Sequence, residues 1–385
     1  MTAPEPRNAL GRRVAVMMHT GLGDTLMVVP LVKAIRALAP EVDVRCTAHA
    51  LAREVLELTG TGAGILPWPA APERGLPAAV RGVLALRAFG PDCVIVPPGL
   101  NLRKASWAVR ASGARFALAA QADHDEPSQV LRGFESGAFT EVVPRTPGVH
   151  KCELVLGLLP RLGLPEAPWA PPVRVDPARE AASQERLRRE TGLPLPAGRV
   201  LGLHLGCTPG LQSKLYPPAR LLAIAQQFCE RRDATGLVFW GPGEEPAVRE
   251  ALASLPAPAR VVAVPWRATL AETSAMLGLC RVVVASDSGI MHLAAARGQK
   301  VLGLFGPTNP AYCGPYGRGN VVLWSRTPCA PCYARPEFYH CPYGVRCMAH
   351  LPADAIREAL DRLWDGEPGS EPGFGPPEVL TLHTP

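Results

Sequence analysis

Short apolar runs, many of them β-branched, alternate along this chain with longer stretches in which apolar and polar positions recur at helical spacing. The first run, 14–18, leads through His19, Thr20, Gly21, Leu22 and Gly23 into a helical stretch over about 24–39. A strand near 42–46, a helix over 50–58, a strand at 92–96, a helix over 102–112 and a strand at 115–119 follow. Strands separated by helices predict a parallel sheet covered on both faces. Proline-rich passages at 164–177 and 193–198 interrupt the rhythm, so 164–198 reads as an interdomain connection holding a charged helix over 178–191.

The alternation then restarts with strands at 200–205, 236–240, 261–264, 282–285 and 301–305. The helices between them are expected over 217–231, 244–254, 270–277 and 288–297. A last amphipathic helix is expected over 353–364, after a cysteine-rich loop. The predicted organisation is therefore two Rossmann-like halves, 1–176 and 177–366, with a Pro/Gly-rich tail at 367–385 expected to be disordered. Open α/β sheets of this kind bind ligands at the carboxyl ends of their strands.

Composition changes this picture little. The chain has 385 residues, 47% hydrophobic and 19% charged, which is ordinary for a globular protein. Its formal net charge of +6 comes with no basic run or basic helix face in the sequence, which disfavours nucleic acid as a partner. Residues 1–10 lack the charged start and apolar core of a secretory leader, and no apolar run approaches a bilayer-spanning length. A cytoplasmic location is expected, with at most peripheral contact at the inner membrane face. Cysteines there would be mostly reduced.

Two segments concentrate the chemistry. Ser286-Asp287-Ser288-Gly289-Ile290-Met291-His292 sits between an apolar strand and an alanine-rich helix. That placement puts the amides of Ser288, Gly289 and Ile290 at a helix N-terminus, where unpaired donors and the helix dipole favour phosphate. Gly289 has no side chain to block a close approach. The plainer alternative is that Asp287 or Ser288 only caps the helix. The second segment, Thr20-Gly21-Leu22-Gly23-Asp24, is neither a dinucleotide fingerprint nor a P-loop, and Asp24 could serve simply as a cap.

Together, in this order, the two segments resemble the heptosyltransferases, glycosyltransferase family nine. The first resembles that family's DSGxxH signature, and the likeness runs on through His292-Leu-Ala-Ala-Ala296, Val301–Thr308 and Gly314–Gly317. The second, with Pro30 six residues after Asp24, resembles the family's N-terminal signature. The resemblance implies a GT-B fold, two Rossmann-like doubly wound domains facing a cleft, with acceptor binding in the first and the nucleotide sugar in the second. It implies Asp24 as the catalytic base, Gly21 and Gly23 in the acceptor-side loop, and Asp287, Ser288, Gly289, Ile290 and His292 around the diphosphate of an ADP-sugar. Lys214 lies in Ser213-Lys-Leu-Tyr-Pro217, similar to a Lys-x-Trp-Pro pattern with Tyr216 in place of Trp, and would offset charge on the leaving diphosphate. Thr208, in His204-Leu-Gly-Cys-Thr208, would contact a phosphate. Either Glu244 or Glu245 would bond the donor ribose, Glu244 being preferred, although helix-start carboxylates explain both equally well.

Other polar groups carry weaker signals. Asp123-His-Asp-Glu126 has the letters of a metal-binding Asp-x-Asp but lies in a polar stretch, where a solvated loop is the simpler reading. Arg103, Lys104, His150 and Lys151 could face the acceptor or be plain surface. Cys329, Cys332, Cys341 and Cys347 have metal-like spacing, and four thiolates would hold a structural zinc, closed to substrate; the resemblance adds iron, which relatives bind at a similar cluster, and a loop of free or disulfide-linked cysteines is the plainer alternative. Catalysis itself is expected to need no cofactor.

The expected activity is inverting transfer of a sugar, heptose from ADP-heptose by the resemblance, to a glycan or glycolipid hydroxyl in lipopolysaccharide core or related assembly. The alternatives are a protein (autotransporter-type) heptosyltransferase, a nucleotide-sugar epimerase of similar shape, and a non-catalytic nucleotide-sugar-binding protein.

Overall fold

A computed structural model describes residues 9–18, 21–69, 75–122, 136–144, 146–193, 195–207, 210–265, 269–333, 335–366 and 375–383. The chain divides into two compact units, 1–172 and 173–385.

Unit 1 holds β1 (Arg13–Met17), α1 (Leu22–Leu38), β2 (Asp43–Ala48), α2 (Ala50–Leu58), β3 (Gly64–Pro67), α3 (Leu76–Phe89) and β4 (Cys93–Val96). It continues with α4 (Leu102–Ser112), β5 (Phe116–Ala120), β6 (Glu141–Val143) and α5 (Lys151–Leu156). Its six strands are parallel in the order β3-β2-β1-β4-β5-β6. The order reverses between β1 and β4, the place where doubly wound sheets open a crevice. Strands β1 and β4 are almost wholly apolar because both faces of the sheet are covered. Helix α1 runs unbroken through Pro30, which is buried.

Unit 2 holds α6 (Pro177–Thr191), β7 (Val200–His204), α7 (Pro218–Arg232), β8 (Thr235–Phe239), α8 (Glu245–Ala253), β9 (Val261–Ala263) and α9 (Leu270–Leu277). Then come β10 (Val282–Ser286), α10 (Gly289–Arg297), β11 (Lys300–Phe305), α11 (Pro310–Cys313), β12 (Val321–Ser325), a C-terminal helix Ala353–Asp365 and β13 (Glu378–Leu382). Seven parallel strands are ordered β13-β12-β11-β10-β7-β8-β9, with the reversal between β7 and β10. The C-terminal helix buries Ile356, Leu360, Leu363 and Trp364 in the core formed with β7, β10 and β11. Trp364 meets the Phe228 ring edge-on at 5.0 Å, and Arg232 grips both Asp361 and Asp365.

The charged helix beside the connection is α6, and it is built into unit 2. Arg297 donates to Glu180 and Arg186 to Glu272, fastening α6 to α9 and α10. One expectation needs correction. The tail 367–385 is not a disordered segment throughout, because 378–382 form β13, paired in parallel with β12 from Val321↔Glu378 to Ser325↔Leu382. The apolar positions Val379, Leu380 and Leu382 find a sheet edge there, and Arg362 anchors Glu378 through two guanidinium nitrogens.

Candidate functional site

In unit 2 the chemistry gathers at the carboxyl ends of β7, β8, β10 and β11, around the reversal of strand order. Strand β10 ends at Ser286, whose hydroxyl accepts the Tyr216 amide at 3.1 Å. Asp287 follows, and Ser288 is the N-cap of α10, its hydroxyl accepting the Met291 amide at 3.4 Å. The cap is therefore Ser288 and not Asp287. The amides of Gly289 and Ile290 open the helix, where no carbonyl of a preceding turn can accept from them.

Asp287 is free for another task. Lys214 Nζ donates to its Oδ2 at 2.8 Å, and His292 Nε2 stands 3.7 Å from its Oδ1. All three side chains are about nine-tenths buried. Burial alone would push the Asp287 carboxyl up, but the Lys214 ammonium and His292 outweigh it and hold the group at about 2. Burial likewise opposes the charge on Lys214, and Asp287 overcomes it, so the ammonium is held above its ordinary range. Lys214 also sits 4.7 Å from the centroid of the Tyr333 ring, a cation–π contact supplied by the cysteine-rich loop. Ser213 Oγ donates to the Phe338 carbonyl at 2.6 Å, which ties the turn before Lys214 to that same loop.

A second pair stands nearby. Glu244 accepts the Gly241 amide at 2.6 Å and lies 3.3 Å from His204 Nε2 at the end of β7. Burial raises the Glu244 carboxyl, and the hydrogen bonds and charge from His204 and Gly241 bring it below the ordinary range. Glu245, by contrast, faces solvent in a one-turn pair with Arg249. Gly206 gives Glu244 its room, since a Cβ there would fall 2.1 Å from the Glu244 carboxyl carbon. Cys207 feels Glu244, Lys214 and Asp287 together, and burial with the two carboxylates pushes its thiol up to about 11, so it is a neutral group. Thr308 Oγ1, past the end of β11, and His204 Nδ1 are buried without a hydrogen-bond partner among the described residues. Polar atoms in that condition at strand ends suit a polar ligand.

In unit 1, Asp24 occupies the first turn of α1, just past the end of β1 at that sheet's own reversal. Gly21 is the N-cap, so Asp24 is not. A Cβ on Gly21 would stand 3.2 Å from Asp24 Oδ2, and Gly23 is buried in the first turn. Lys151 Nζ donates to Asp24 Oδ1 at 2.7 Å. The lysine side chain is 2% exposed and the aspartate 48%, so a buried cation fixes a carboxylate whose other edge meets solvent. Lys151 is thus no surface residue, and Arg103 and Lys104 sit exposed at the start of α4.

Thr208, Thr20 and 123–126 lie outside the described residues. Cys329, Cys332, Cys341 and Cys347 line one cavity together with Phe338 and Arg346, all as free thiols. Among the described residues, no three His, Cys, Asp or Glu side chains are grouped to hold a metal ion.

Comparison with known proteins gives a consistent picture. A family model described as glycosyltransferase family 9 (heptosyltransferase) matches residues 92–341. Lipopolysaccharide heptosyltransferase 1 of Pseudomonas aeruginosa is 42% identical over 127 residues, 33% of this chain and 35% of that protein. Lipooligosaccharide heptosyltransferase 2 of Haemophilus influenzae is 30% identical over 155 residues, 40% and 44% of the two chains. The matched region thus spans less than half the length of these curated relatives. Among solved structures, E. coli ADP-heptose LPS heptosyltransferase II superposes with a TM-score of 0.68 at 18% identity, covering 91% of this chain and 98% of that one. E. coli heptosyltransferase WaaC with ADP-2-deoxy-2-fluoro heptose gives 0.61 at 20% identity, over 91% and 99%. These likenesses establish the two-domain GT-B fold class.

Proposed function

This chain belongs to glycosyltransferase family 9, the heptosyltransferases, and from that premise we propose that it transfers heptose from ADP-heptose to an acceptor hydroxyl. The acceptor we propose is a glycan or glycolipid of lipopolysaccharide core or a related polymer, in keeping with the names of the relatives it matches. The observation that supports this most is the built polar site opening α10, where Lys214, Asp287 and His292 are locked together beside amides suited to a diphosphate.

In this reading the donor pyrophosphate rests on the first-turn amides at Ser288, Gly289 and Ile290. Lys214 does two jobs: it neutralises Asp287 and leaves positive potential toward the departing phosphate. Glu244 takes the ribose and is held for that by Gly241 and His204. Asp24 removes the acceptor proton as the hydroxyl attacks the anomeric carbon, the bond to the diphosphate oxygen breaks, and the configuration inverts. The cationic groups and helix amides supply the charge stabilisation, so the reading requires no catalytic metal.

The direct test is release of ADP from ADP-heptose with and without acceptor, with the product anomer assigned by NMR. Acceptor-dependent release with inversion is the expected result. Donor binding without turnover on any glycan or protein acceptor would leave a binding protein in its place.

Glu244→Ala is expected to raise the donor KM about tenfold, the usual scale for a lost hydrogen bond to a charged group. Glu245→Ala should be near neutral, because its partner Arg249 is an exposed one-turn neighbour. Gly206→Ala should imitate Glu244→Ala, since its new methyl displaces the Glu244 carboxyl, a flexible end that can move without unfolding the unit. Steady-state kinetics on the three variants check this; equal effects at 244 and 245 would remove Glu244 from the ribose site.

A further inference from the structure

A lysine stem is flexible and its ammonium is a compact point charge, so a lysine that serves a fixed phosphate has to be held from more than one side. For Lys214, Asp287 supplies one hold, its Oδ2 accepting from Nζ at 2.8 Å. The cysteine-rich stretch between β12 and the C-terminal helix supplies another, because the Tyr333 ring centroid lies 4.7 Å from the same nitrogen. The Lys214 side chain is 11% exposed and that of Asp287 9%. Such a contact is largely out of water, where the attraction between a cation and a ring is at its strongest.

Tyr333 is itself braced. Its ring meets that of Phe338 at 5.0 Å and 73°, and Phe338 meets Tyr339 at 5.1 Å and 80°, both edge to face. Phe338 is buried, so this ladder of rings is footed in the interior. The Tyr333 amide donates to the Pro307 carbonyl at 3.0 Å, just past the end of β11. Phe338 also accepts the Ser213 hydroxyl through its carbonyl. The stretch therefore grips two consecutive residues, Ser213 by a hydrogen bond and Lys214 by a ring.

The two holds on the ammonium differ in kind. Asp287 draws the cation to itself and cancels its charge. An aromatic face attracts the cation through its quadrupole and leaves the charge in place. We propose that Tyr333 is a positioning residue for the donor site, its ring keeping the Lys214 ammonium where the charge meets the diphosphate. This rests on the reading of Lys214 as a donor-site group and adds the part of the chain that sets its position. The plainer alternative is that Tyr333 only packs the cysteine-rich stretch, and the two make different predictions.

The test is titration calorimetry of ADP and of adenosine on the full chain, with thermal melts and acceptor-dependent turnover of ADP-heptose alongside. Tyr333→Leu and Tyr333→Met, which fill space without an aromatic face, should each raise the Kd for ADP about tenfold and lower kcat with it. Tyr333→Phe keeps the ring and should restore most of the affinity and turnover. Adenosine has no phosphate and should bind wild type and Tyr333→Leu alike. In a Lys214→Met background, Tyr333→Leu should change the ADP affinity by less than about twofold, because the group it positions is gone. Equal losses with and without Lys214, a loss that extends to adenosine, or a Tyr333→Phe variant as weak as Tyr333→Leu would make Tyr333 a packing residue and overturn the proposal. Wild-type ADP affinity in both Tyr333→Leu and Tyr333→Met, with affinity lost in Lys214→Met, would overturn it and leave the donor-site reading standing. Wild-type affinity in Lys214→Met would overturn both.

Discussion

Asp24→Asn should fold, bind donor with unchanged affinity, and turn over about a thousandfold more slowly, the middle of the range for loss of a general base. Asparagine is the informative replacement because of Lys151. That ammonium is 2% exposed and donates to Asp24 Oδ1, and an asparagine oxygen can still accept its N–H. Alanine cannot. Asp24→Ala leaves a buried cation without this carboxylate, so it combines a loss of chemistry with a loss of stability of up to about 3–5 kcal/mol. The expected ordering is therefore equal donor binding and a near-wild-type melt for Asn, with a lowered melt for Ala, and strongly reduced turnover for both. Isothermal titration with ADP, thermal melts and acceptor-dependent ADP release separate the three quantities. Wild-type turnover in Asp24→Asn would take Asp24 out of the mechanism.

The pair also explains what the carboxylate gains from its position. One edge is fixed by Lys151 from within unit 1, and the side chain as a whole is 48% exposed. Lys151 thus acts as a positioning residue in this reading, through Asp24.

Most of the fold is readable in the sequence because parallel strands buried on both faces appear as unbroken apolar runs, and those runs are punctuated by glycine, proline and aspartate. The parts that escape do so for physical reasons. Strand β3 has a glycine and a proline at its ends, and β13 is an apolar stretch in a proline- and glycine-rich tail that becomes a strand only beside β12. Helix α3 carries Pro77 and Gly82, and its outer stripe is as apolar as its inner one, so it lacks the one-sided pattern that marks a soluble helix.

The site divides along similar lines. The resemblance to two short family signatures picks out Asp24 and the Asp287 loop, since each signature is a strand end, a glycine and a helix start adjacent in sequence. Partners at long range leave no such trace. Lys151 is 127 residues from Asp24, and Lys214 is 73 from Asp287. Tyr333, in the loop read for its cysteines, proves to be a face for the Lys214 ammonium.

That long-range pair yields the second large effect. Asp287→Ala is expected to lower stability by about 3–5 kcal/mol, because it strands a buried ammonium. Lys214→Met should cost a comparable amount, because it leaves the Asp287 carboxylate buried beside His292 alone. The double variant Asp287→Leu/Lys214→Met should cost markedly less than the two singles combined, since no uncompensated charge remains. Donor affinity should follow a different pattern, lost in Lys214→Met and in the double variant because neither keeps the Lys214 ammonium beside the phosphate amides. The pH dependence has a defined sign. Asp287 is depressed from 3.8 to about 2, so the stability it contributes is fully present above about pH 4 and is lost as pH falls through about 2. Across pH 5 to 8 this pair should therefore leave stability flat, and any slope in that range belongs to other groups. Denaturant titrations of the four proteins, each with and without ADP, measure both patterns. A double variant that regains donor affinity along with stability would show that the pair holds the loop and does not act on the nucleotide.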